Sequence, residues 1–302
     1  MFDLRYHVVS LAAVFVALVI GILLGVGISE TGRVDTIERD SYEQRIADLE
    51  SEVQAAKAED VASEHERRAA QDVIARAYPA LMENRLAGMR VARVYVGPAG
   101  GGAIPSGVDA LLADGDAGGA PFLRALKVPI DPDAIEGALE GRPELARYVG
   151  PDRFDELGAG LADELLSEGD TPLWDALSRQ LVLNEEGSNQ HPPDAVVVAR
   201  TVEPQEGETA ALLEGFYKRL ASGGVPVVAV EATETRPSGV PFYRRQGLAT
   251  VDSIDTRIGR LAAALVLAGA PAGSYGVKGT ADQILPQEIE PVQPPTTAGA
   301  GG

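Results

Sequence analysis

Residues 194–231 read DAVVVARTVEPQEGETAALLEGFYKRLASGGVPVVAVE, and this stretch decides the fold. Asp194-AVVVA-Arg200 and Gly224-VPVVAV-Glu231 are continuous apolar runs, without the alternation of a strand that has one wet face. Strands buried on both faces of a parallel sheet have this pattern. Between them, Glu208–Ala221 repeats apolar residues at spacings of three and four, the period of an amphipathic helix. Strand, helix and strand in succession form a parallel crossover unit, right-handed by rule. The pattern extends in both directions. Arg90-VARVYV-Gly97 is a further strand, and Asp152–Glu168, Leu173–Val182 and Ile254–Ala268 are further helices. Residues 89–286 are therefore expected to form an α/β domain, a Rossmann-like or flavodoxin-like three-layer sandwich.

Upstream, the pattern is different. Val8 to Ile28 is a run of 21 residues without a charge. At about 1.5 Å per residue it spans roughly 31 Å, close to the ~30 Å hydrocarbon core of a bilayer. A single transmembrane anchor within residues 1–29 is the reading adopted. A cleaved signal peptide competes with it, since Gly25-Val26-Gly27 resembles a small-x-small site. The apolar run before that site is longer than the ~7–15 residues such peptides use. Arg5 lies before the span and Arg33 and Arg39 follow it, so the charge rule leaves orientation open. Ala13, Ala17, Gly21 and Gly25 recur every fourth residue, a helix-association face of the kind that lets membrane helices approach closely.

From Glu30 to Arg76 the chain holds 13 acidic and 7 basic residues, with no proline and no glycine after Gly32. Strong helix formers fill it. Residues 30–88 are expected to be a helical stalk. Ile46, Leu49, Val53 and Ala56 keep a heptad rhythm that Ile74, Ala77 and Leu81 resume, while Asp60, Ser63 and Arg67 occupy the seam between. A weak coiled coil and a solvated single helix held by pairs such as Asp35–Arg39 are the two readings. Residues 287–302, rich in Pro, Gly and Thr, have no core residues to bury and are expected to be a disordered tail.

The whole chain of 302 residues carries a formal charge of −19. Nucleic acid is excluded as a partner, because phosphate recognition requires clustered Lys and Arg. Cysteine is absent, which removes disulfides, thiolate metal sites and a cysteine nucleophile. Gly97-PAGGG follows a strand as a phosphate-cradling loop would, but Pro98 and Pro105 are expected to interrupt the passage into a helix, and a Walker lysine is missing. A flexible connection is the expectation there. The candidate ligand crevice lies at Glu231, Ser238, Arg244, Asp252 and Asp255, beyond the carboxyl ends of strands where open α/β sheets bind ligands. Helix capping is the alternative for two of these residues. Asp252 would cap a helix starting near Ser253, and Asp255 would occupy its first turn.

The N-terminal FDLRYHVVSLAAVFVALVIGILLGVGIS and the C-terminal block from Gly223 to Pro286, with its VDSIDT segment, Tyr275-Gly-Val-Lys-Gly279 and Leu285-Pro286, resemble the actinobacterial copper transporter family typified by MctB. The resemblance implies an envelope protein that limits intracellular copper, with the α/β domain outside the cytoplasm and an outer-membrane pore proposed for the family. The residues themselves add limits. Copper sites use thiolate, thioether and imidazole donors, and this chain has three Met and three His, with His7, His65 and His191 in separate segments. No tight site and no cofactor are expected, and copper enters only as a transported ion. A β-barrel would need many alternating segments of about ten residues, which are not present. The expected partners are the lipid bilayer, a second copy through anchor and stalk, and other envelope proteins. No enzymatic triad can be assembled, and the resemblance implies a role in copper efflux as an oligomeric conduit or accessory factor, with a structural or regulatory envelope module as the alternative.

Overall fold

A computed structural model describes residues 4–27, 31–118, 122–150, 152–187 and 191–287. It divides into two units, residues 1–71 and 72–302. The first holds helix α1 (Leu4–Gly27) and most of helix α2 (Thr31–Met82). Among the described residues α1 contains the one window, Val8–Gly25, that is long and apolar enough to cross a membrane, and none of it is buried. Its small-residue face is open, since a methyl group built on Gly21 or Gly25 would meet nothing within 4 Å. On α2, Leu49, Val53 and Val61 are exposed, and Arg67 and Arg68 both pair with Glu64.

Helix α2 runs through Pro79 to Met82, six residues short of the end of the expected stalk at residue 88. Proline in a helix removes a backbone hydrogen bond, an expense of about 3 kcal/mol in an exposed interior. Burial offsets it here. Tyr78, Met82 and the following Leu86 are all at least 94% removed from solvent within the second unit's core, and Pro79 O still accepts from Glu83 N at 2.9 Å.

The second unit is built on a seven-stranded sheet in the order β3-β2-β1-β4-β5-β6-β7. The strands are β1 (Val91–Val96), β2 (Phe122–Leu126), β3 (Val182–Glu186), β4 (Ala195–Arg200), β5 (Val227–Val230), β6 (Ala249–Val251) and β7 (Ser274–Tyr275). Every neighbouring pair is parallel except β2 and β3. The continuous apolar runs have the meaning expected of them. In β4, Val196 and Val198 enter one hydrophobic cluster while Ala195, Val197 and Ala199 enter the other.

Helices cover both faces. On one lie α4 (Pro132–Leu139), α5 (Phe154–Leu166), α6 (Pro172–Leu181), α7 (Gly207–Ala221) and α8 (Val240–Arg245). On the other lie the end of α2, α3 (Ala103–Asp114) and α9 (Arg257–Leu267). Helices α5 and α7 meet backbone to backbone: a β-carbon on Gly158 would overlap Leu212 O, and one on Gly215 would overlap Asp155 O. Only glycine fits at this crossing.

Two expectations are corrected. Gly97–Gly102 is not interrupted by Pro105, because α3 begins at Ala103 and Pro105 falls in its first turn, where the N–H it lacks would have no intrahelical partner. The last helix begins at Arg257 rather than Ile254, since Thr256 adopts the extended backbone of an N-cap (φ −103°, ψ 160°), which a helix cannot continue through.

Candidate functional site

The carboxyl end of β5 delivers Glu231 into the interior, where it is 3% exposed. A buried carboxylate requires partners for its charge and lone pairs. Glu231 has three. Ser238 Oγ donates to Oε1 at 2.9 Å, Gly239 N donates to Oε2 at 2.7 Å, and Lys278 Nζ donates to Oε1 at 2.8 Å. The same ammonium donates to Ala232 O at 2.6 Å. Its three protons are thus directed at Glu231, Ala232 and, at a longer 3.4 Å, Thr235 O.

One strand along, the end of β6 carries Asp252, fully buried. Its Oδ1 accepts from Ser253 Oγ at 2.8 Å and from Val277 N at 2.8 Å, and its Oδ2 accepts from Lys278 N at 3.0 Å. Asp252 is therefore not the cap of α9. That role belongs to Thr256, whose Oγ1 accepts from Gly259 N at 3.1 Å. The two carboxylates act on one segment. Asp252 grips the backbone at residues 277 and 278, and Glu231 grips the Lys278 side chain. Gly276 makes the approach possible, with φ 136° and no room for a β-carbon beside the Asp252 carboxylate.

Asp255 is exposed and lies before the cap, outside the first turn of α9. Its Oδ1 accepts from Thr233 N at 2.8 Å and Thr233 Oγ1 at 3.0 Å, tying the loop after β5 to the loop after β6. Arg244 stands apart from the cluster. It pairs with Asp282 at 3.0 Å beside a shallow groove of about 450 Å³ that Val240, Pro241, Arg245, Gly279 and Thr280 also line. Of the five residues, then, Glu231 and Ser238 share one hydrogen-bonded group, Asp252 joins it through Lys278, and Asp255 and Arg244 flank it.

Lys278 is the member that sequence reasoning missed. It stands 47 positions from Glu231, and periodicity carries no information about so distant a pair. Its signal was the Tyr275-Gly-Val-Lys-Gly279 segment, which stood out without a role.

The cluster is filled by its own chain. Nearby, Tyr243 and Tyr217 pack edge to face at 5.3 Å, and burial pushes the Tyr243 hydroxyl up to about 12 and Tyr217 further. The crevice between β1 and β4 is likewise occupied: a β-carbon on Gly97 would fall 2.6 Å from a Val202 methyl, and Thr201 Oγ1 donates to Pro98 O at 2.9 Å. On the opposite helix layer, Tyr78 donates to Asp114 at 2.5 Å and accepts from Arg260 Nε at 3.1 Å. Burial first, and the Asp114 bond second, raise the Tyr78 hydroxyl to about 12. This triad borders a groove of about 730 Å³ that Arg76, Glu83, Asp116 and Arg257 also line. Among the described residues no three His, Cys, Asp or Glu side chains converge as a metal-ion site.

A protein-family model described as "Copper transport outer membrane protein, MctB" matches residues 1–286. The chain belongs to the MctB family. The match spans the apolar helix α1, all of α2 and the entire sheet, so MctB membership attaches to the full arrangement rather than to one segment. It also takes in Glu231, Asp252 and Lys278. A search of curated proteins returns no match. Membership supports a copper-transport-related envelope protein, and α1 fits the membrane anchor or signal that such a protein requires.

Proposed function

We propose that this MctB-family chain is a membrane-anchored accessory factor of copper efflux, which lowers cellular copper by working with other envelope components. The observation that carries the reading is the family match over residues 1–286. In this reading α1 remains as an uncleaved single-pass anchor, and the α/β domain stands outside the cytoplasm. The domain is flavodoxin-like: counted among themselves, its parallel strands follow the order 2-1-3-4-5-6, which extends the flavodoxin order by one strand.

Donor chemistry favours an accessory over a chain that itself ligates copper. Met82 is buried in the core and Met89 is half-buried, while His65 is exposed on α2 and His191 is exposed in the connection between β3 and β4. The sheet end that usually takes a ligand is closed by Lys278 and its two carboxylates.

Deletion tests the proposal. Cells lacking the protein should hold more copper and grow less well in copper-supplemented medium, with both restored by the wild-type gene. Unchanged copper content would favour a structural or regulatory envelope module, a reading that the self-filled crevice also suits.

A further inference from the structure

We propose that two copies associate in parallel through the membrane-proximal part of α2, over residues 45–57, and separate at Asp60. This deepens the reading of α1 as an uncleaved anchor and rests on it. In the heptad register, Ile46 and Val53 take the a positions and Leu49 and Ala56 the d positions. Leu49 and Val53 are 59% and 50% exposed in the single chain, an apolar face without a cover.

Charge selects the occupant. In a parallel pair, each g residue faces the e residue five positions later on the other chain. Arg45 then meets Glu50, and Glu52 meets Lys57. Both pairs attract, and both recur by symmetry. The next pair, Glu59 with Glu64, repels. There the chain has made internal arrangements instead, with Glu64 held by Arg67 at 2.7 Å and by Arg68 at 2.9 Å. The seam positions agree, since Asp60, Ser63 and Arg67 follow Ala56, and Arg39 holds the a position before Ile46. A second copy of the same segment thus satisfies apolar face and charges together.

So short a seam is below the three to four heptads that an isolated coiled coil needs. Co-anchoring in one bilayer changes that balance, because the second chain is already oriented and confined near the first. The pairing is therefore a property of the membrane-bound chain.

The absence of cysteine makes the test clean. Full-length chain is reconstituted in phosphatidylcholine vesicles with a single cysteine, as Leu49→Cys or Ala70→Cys, and treated with a short bis-maleimide. Leu49→Cys should give dimer and Ala70→Cys, also a d position, should not. Adding Lys57→Glu to Leu49→Cys should cut dimer yield by about tenfold, since two attractive exposed pairs become repulsive. Adding Glu52→Lys as well should restore it. Equal crosslinking at 49 and 70, or no response to Lys57→Glu, overturns the proposal. Mass photometry of the wild-type chain in nanodiscs separates the failures: a dimer with crosslinking only at 70 overturns the segment but keeps the anchored oligomer, whereas a monomer overturns both.

Discussion

Replacing Lys278 with methionine should destabilise the α/β unit by about 3 kcal/mol. The magnitude follows from what the substitution leaves behind. Glu231 and Lys278 side chains are 4% and 11% exposed, so water does not replace a lost partner. Breaking one side of a buried ion pair costs about 3–5 kcal/mol. Glu231 would keep its bonds from Ser238 Oγ and Gly239 N, which places the expected loss at the lower end. Ala232 O would also lose a donor at 2.6 Å. Removing both charges, as in Lys278→Met with Glu231→Gln, should cost less than the sum of the single changes by about 2 kcal/mol, because neither charge is then buried alone. Trp174, the sole tryptophan, is 5% exposed in the core of this unit and reports its unfolding without interference from α1. Guanidinium titration of the detergent-solubilised full chain, followed by its fluorescence, gives all four stabilities. A single-mutant loss below about 1 kcal/mol, or additive losses, would refute the view that this pair holds the C-terminal segment closed.

Gly158→Ala should destabilise by about 2 kcal/mol or more in the same assay, although alanine is the better helix former, because α5 and α7 must separate to admit the methyl group. Gly276→Ala should expose Lys278 to trypsin at a concentration that leaves wild-type uncut there; equal resistance would show that the Asp252 contact is looser than its geometry. Alkali should unfold the unit between about pH 10 and 12. Tyr78, Tyr95 and Tyr243 each rise to about 12 in the fold, while an unfolded tyrosine ionises near 10. The native state then holds protons that the unfolded state has lost, so their contribution is complete below pH 10 and falls away through 12. Tyrosinate absorbance should show these groups ionising with, not before, the loss of Trp174 burial.

The central strands were legible because their burial is double-sided. Ala195–Ala199 and Val227–Val230 have no polar residue to disguise them. Four strands were not. β2 carries Arg124, which stays 8% exposed by stacking on Phe122 at 4.4 Å and donating to Leu123 O, and a buried cation breaks the apolar signature. β3 is an exposed edge, and β6 and β7 have three and two residues, too few for any period. The site was half legible for a related reason. Glu231 and Asp252 could be found from their places after β5 and β6, but Val251-DSIDT offers four residues fit to cap a helix, Asp252, Ser253, Asp255 and Thr256. The extended backbone at Thr256 gives that role to Thr256 and not to Asp252. Asp252 is then free to grip a segment 25 residues on.

The proposed function has copper handled without a preformed copper site in this chain. Equilibrium dialysis of the purified full-length protein against Cu(I) and Cu(II) at about 1 μM free metal, a level that half-fills a site of −8.2 kcal/mol, followed by elemental analysis, tests it most directly. Copper per chain should stay near zero for both ions. Saturable binding of one copper per chain, abolished by substituting a histidine or methionine, would contradict it.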